Sequence, residues 1–168
     1  MIVFGLFVWG STASASGPAL MQEQLPKYGV SLQVPDGWFT GSASGLGSSP
    51  RPVAVYRSPV EHDGFTANIN LLVGKLQPGE TLRQWVLGGS GAIYLSRGKL
   101  TSAHLDGTPA LVYESTRLVA ILGHQLLTLE YAAARGSRVY LFTYTALALD
   151  RAKYEQTFKA SAATIQFI

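Results

Sequence analysis

His62, His104 and His124 are the only imidazoles in the chain, and it has no cysteine. No two of these histidines stand three or four residues apart, so no helical pair can chelate a metal. Glu61-His62-Asp63 is the one local run of metal-ligand types and supplies the candidate metal residues Glu61, His62 and Asp63. A polar hairpin turn before Gly64 accounts for the same residues without an ion. The absence of cysteine excludes disulfides, thiol catalysis, thiolate-ligated metal and a lipid-modified N-terminal Cys. Serine is abundant, but no Gly-x-Ser-x-Gly elbow occurs, and Gly88-Gly89-Ser90-Gly91 lacks that spacing. Gly45-Leu46-Gly47 is followed by neither Lys-Ser nor Lys-Thr, so a phosphate-binding loop is not supported. Glu114 and Glu130 fall on different strands, where each is expected to meet Arg117 or Arg138 at a rim. No catalytic residue and no cofactor is predicted.

What remains is a set of residues suited to binding. Asn68 and Asn70 share one face of a strand, where hydrogen bonding to a neighbouring loop is the simplest role. Trp38 directly follows a turn and reads as a core anchor. The expected recognition surface is the loop side that holds residues 41–52, His62 and Asp63, with Trp38 beneath it and Asn68 and Asn70 as further candidates. Its partner is not nucleic acid. The net charge is only +3 and the 13 basic side chains are scattered, without a cluster interleaved with aromatics.

These residues need a scaffold, and 168 residues with 47% hydrophobic and 14% charged side chains make one compact domain with a low-charge surface. Met1 to Trp9 is apolar and uncharged, and Ala13-Ser14-Ala15 follows it, which is the pattern of a secretory signal peptide over residues 1–15. The run is too short to cross a bilayer as a helix. No Lys or Arg precedes it. Residues 16–27 read as a mobile lead-in, and residues 28–168 as the domain.

Within that domain Val30, Leu32 and Val34 alternate with polar residues, and Pro35-Asp36-Gly37 turns the chain. Val53 to Arg57 is a short strand ending at Ser58-Pro59. Thr66 to Val73 alternates, with Ala67, Ile69, Leu71 and Val73 on one face. Thr81 and Gln84 form a capping box for a helix carrying Leu82, Trp85 and Val86. A weak strand near Lys99–Leu105 and an Asp106-Gly107 turn lead into a meander of three strands, about 110–120, 125–133 and 138–146. The last of these can bury both faces and belongs mid-sheet. Asp150 offers a cap for a helix whose Tyr154, Phe158 and Ala162 recur at helical spacing, and a last short strand follows. Long consecutive strands with short turns pair antiparallel, which predicts an α+β fold, a sandwich of helices on a largely antiparallel sheet.

Several segments in this order resemble the PsbP-like superfamily, which includes the DcrB-like proteins. They are Tyr28-Gly29-Val30 through Pro35-Asp36-Gly37-Trp38, Tyr56-Arg57-Ser58-Pro59, and Ala67-Asn68-Ile69-Asn70. Pro78-Gly79-Glu80-Thr81-Leu82, Asp106-Gly107-Thr108-Pro109-Ala110, and Tyr144-Thr145-Ala146 with Tyr154 and Phe158 complete the set. The resemblance covers about residues 28–167 and implies an α-β-α sandwich without enzymatic activity. The expectation is an exported protein, secreted or periplasmic, that binds an envelope protein as an accessory factor. A small-molecule or lipid carrier using the sheet–helix interface is the alternative, and a hydrolase with dispersed residues the least favoured.

Overall fold

A computed structural model describes residues 18–41, 51–88, 98–120 and 122–168. Ten strands and two helices follow in the order β1 (Leu20–Leu25), β2 (Val30–Pro35), β3 (Phe39–Thr40), β4 (Ala54–His62), β5 (Phe65–Lys75), α1 (Leu82–Gly88), β6 (Lys99–Leu105), β7 (Thr108–Val119), β8 (His124–Arg135), β9 (Arg138–Leu147), α2 (Arg151–Ala162) and β10 (Gln166–Phe167). A seven-stranded sheet runs β3-β4-β5-β9-β8-β7-β6, and a small one β1-β2-β10. Every recorded pairing is antiparallel. The α+β expectation holds, and β9 lies mid-sheet between β5 and β8.

One face of the large sheet is covered by α2 and the small sheet. Val30, Leu32 and Val34 from β2 meet Ile69, Leu71, Phe142, Tyr144 and Phe158 in one buried cluster. Tyr154, Phe158 and Ala162 are buried as their spacing predicts. Trp38 packs edge-on against Tyr154 and Phe158, at centroid distances of 6.2 and 6.3 Å. Gln33 N–H donates to Thr164 Oγ1 at 2.7 Å, and Ser161 Oγ donates to the Gln33 carbonyl, which stitches the small sheet to the end of α2.

The other face carries a smaller cluster of Trp85, Val86, Ala132, Val139 and Leu141 beneath α1. The predicted capping box starts this helix: Gln84 N–H donates to Thr81 Oγ1 at 3.2 Å, and Thr81 N–H donates to Gln84 Oε1 at 2.9 Å. Close approach of α1 depends on Gly74, where an added Cβ would stand 2.5 Å from the Trp85 ring.

Three expectations need correction. The mobile lead-in over residues 16–27 is in part a strand, since residues 20–25 form β1, paired with β2 from Leu20↔Pro35 to Leu25↔Val30. Its Met-Gln-Glu-Gln centre hides the strand because little of it is buried. The strand expected to stop at Ser58-Pro59 continues to His62, with an irregular register between Arg57 and Glu61 that absorbs the proline. Asp150 makes no side-chain cap on α2. The expected signal segment 1–15 and most of the 41–52 loop lie outside the described residues.

Candidate functional site

The register of four strands assembles a polar layer in the middle of the face shared with α1. Asn70 on β5 pairs with Thr143 on β9, Thr143 with Glu130 on β8, and Glu130 with Tyr113 on β7. Two residues along, Asn68, Thr145, Thr128 and Ser115 form a second row. Residues two apart on a strand share a face, so both rows project to the same side. Arg57 on β4, opposite Asn68, and Arg117 on β7, opposite Leu126, share that side.

Burial makes the layer unusual. Ser115, Thr128 and Glu130 are 4%, 7% and 6% exposed, whereas Asn68, Asn70, Thr143 and Thr145 are half-buried. Asn70 Nδ2 donates to Asn68 Oδ1 at 2.8 Å, and Asn68 Nδ2 donates to the Thr66 carbonyl at 3.0 Å. Thr143 Oγ1 reaches Glu130 Oε1 at only 3.4 Å. Asn70 Oδ1 and Ser115 Oγ are buried with no hydrogen-bond partner among the described residues. Burial pushes the Glu130 carboxyl up to about 7, against the smaller opposing effects of the Thr143 hydroxyl and the Arg117 charge. The layer can accept hydrogen bonds and can hold a proton near neutral pH. The cavity under Trp85 beside Glu130 and Tyr113 is about 10 Å3, room for at most about one water.

A second polar group sits at the tip of the β4–β5 hairpin. Asp63 and Gly64 both have positive φ, 48° and 72°, as a two-residue hairpin turn requires. The turn presents His62, whose Nδ1 lies 2.9 Å from Asp150 Oδ2 at the start of α2. The Asp150 partner raises the His62 pKa, helped by Asp63 and opposed by partial burial and Lys153. Asp150 therefore serves the hairpin instead of capping its own helix. Among the described residues no three His, Asp or Glu side chains come together in a group that could hold an ion.

Among the described residues, the side chains expected at one recognition surface are distributed over both faces of the sheet. Trp38 is core beneath α2, His62 and Asp63 are at the hairpin tip beside α2, and Asn68 and Asn70 face α1 across the sheet. The neighbouring loop expected as the partner of the asparagines is replaced by bonds between the two and to Thr66. Glu114 and Glu130 project from opposite faces. Glu114 accepts from Arg151 Nη2 of α2 at 2.6 Å, and Glu130 is buried away from any rim. Sequence reasoning missed Glu130 as a site residue, although a lone carboxylate inside the apolar run 126–134 is itself a signal.

Solved structures share this architecture. Cyanobacterial PsbP (CyanoP) from Synechocystis sp. PCC 6803 superposes with a TM-score of 0.63 at 15% identity, over 95% of this chain and 98% of that one. LpqN, involved in cell envelope biogenesis of Mycobacterium tuberculosis, gives 0.60 at 14% identity, over 91% and 86%. PA94 from Pseudomonas aeruginosa, a protein of unknown function, gives 0.54 at 16% identity, over 86% and 94%. No protein-family model and no curated protein matches the sequence. At such identities the likeness carries the fold and not an activity. The chain has the PsbP-like fold.

Proposed function

We propose that this chain is an exported, non-enzymatic accessory factor that works by binding a protein of the cell envelope. The observation that carries the reading is the closely filled sheet–helix interface. Both clusters are built from interlocked aromatic and aliphatic side chains, and the space beside Glu130 is only about 10 Å3. A carrier of lipids or drug-sized molecules needs a cavity of several hundred Å3. The space beside Glu130 is far smaller, and a cleft of about 380 Å3 lies instead on the open, charged side of α2 along Arg151, Glu155 and Lys159, which favours binding on the outside. The three histidines are dispersed over the fold and do not converge on one site. His62 is engaged by Asp150, His104 lies on β6 at the edge of the described sheet, and His124 opens β8. The apolar run before Ala13-Ser14-Ala15 and the likeness to LpqN, involved in cell envelope biogenesis, support the compartment. No helix among the described residues is long and apolar enough to cross a membrane.

The test is chemical cross-linking of the chain in intact cells, followed by purification and mass spectrometry. The reading predicts cross-links to one or a few envelope proteins through exposed lysines such as Lys99, Lys153 or Lys159. Recovery of the chain with a co-purifying lipid or metabolite and no protein cross-link would select the carrier reading instead.

A further inference from the structure

Among the described residues the large sheet ends at β6, a strand of seven residues. Natural sheets blunt their edges with shortness, proline, bulges or charge, because a free edge offers unpaired N–H and C=O groups. The opposite edge is blunted: β3 has two residues, and β4 behind it contains Pro59 and a register irregularity. In the small sheet, β1 carries Glu23 in mid-strand. By contrast β6 runs for seven residues in unbroken register with β7, from Lys99↔Glu114 to Leu105↔Thr108, without proline. Its one charge of fixed sign, Lys99, stands at its first position. No described strand lies beyond it, and Thr101, Ser102 and His104 are exposed.

We infer that β6 pairs with β6 of a second copy of this chain, antiparallel about a two-fold axis at Ser102, which makes the two seven-stranded sheets continuous across a homodimer. The register is self-complementary. Ser102 meets Ser102, Thr101 meets Ala103, Leu100 meets His104 and Lys99 meets Leu105, so the axis brings no like charges together. Shifting the axis toward Lys99 would bring the two lysines together, which favours the Ser102 centre. The proposal goes beyond the envelope reading and does not depend on it.

The test is sedimentation equilibrium of the full chain over a range of concentrations, with Ser102→Lys and Ser102→Glu variants. Ser102 is exposed, so both variants should keep the parent circular dichroism and melting temperature at low concentration. The parent is expected to dimerise reversibly, and each variant alone to weaken the dimer by about three- to tenfold, since like charges then face each other. An equimolar mixture of the two variants should restore dimerisation, because in the mixed dimer the introduced ammonium of one copy faces the introduced carboxylate of the other. A parent that stays monomeric throughout, or variants that dimerise like the parent, would overturn the proposal. A melting temperature lowered in one variant leaves the mixing experiment decisive, because rescue on mixing arises only from a contact between copies.

Discussion

Glu130 is the residue whose environment asks most of the fold. A carboxyl held at about 7 in the folded state and near its ordinary 4.5 when unfolded binds its proton more tightly when folded. Its stabilising effect is complete below pH 4.5 and is lost as pH rises through about 7. Glu130→Gln should therefore leave stability nearly unchanged at pH 4.5 and raise it by about 2–3 kcal/mol at pH 8. Urea unfolding of both proteins at the two pH values checks this, and a difference that does not grow with pH would count against it. His62 ties its effect to a charged partner. Its pKa is raised by Asp150, so whatever the pair contributes is present below the ordinary histidine value and fades as pH rises through the folded one. Asp150→Asn should lower the His62 pKa, which NMR titration of the imidazole protons reads directly; an unshifted titration would show that the contact does not form in solution. Asn68 and Asn70 were legible as a pair because strand alternation needs only period two. The His62–Asp150 pair spans 88 positions, and Glu130 joins the asparagines only through the pairing of β8 with β9 and of β9 with β5, so neither is readable locally.

Among the elements, α1 is short and depends on its seat. Seven residues make a marginal helix on their own, and this one is held by its capping box and by Trp85 lying over Gly74. Gly74→Ala would push a methyl into the Trp85 ring and should cost about 1–3 kcal/mol, by the general cost of overpacking. Thermal unfolding checks the size of the loss, and wild-type stability would mean that α1 does not pack there. On the other face, Phe158 is fully buried against Trp38, Tyr144 and Tyr154, and Phe158→Ala should cost about 3–5 kcal/mol in urea unfolding. The helix α2 was readable because Tyr154, Phe158 and Ala162 repeat every four residues, and the β7–β8–β9 meander because its turns carry Gly123 and Gly136 with positive φ. The strand β1 was not readable, since its strand character comes from pairing with β2 and not from its own pattern.

Across the whole molecule, the sheet divides two environments. Its α2 face is a dense aromatic and aliphatic core, and its α1 face carries a polar layer with two buried oxygens that lack partners among the described residues. The fold class follows from the order of strands, turns and helices, which is why it was legible in advance, whereas the reading of the compartment rests on residues 1–15, outside the described residues. The proposed role stands or falls with export to an envelope in which the chain binds protein. Intact-mass measurement of the protein recovered from fractionated native cells decides that point. A mature chain beginning at Ser16 and found outside the cytoplasm is the expected result. A cytoplasmic chain that retains Met1 would refute the role.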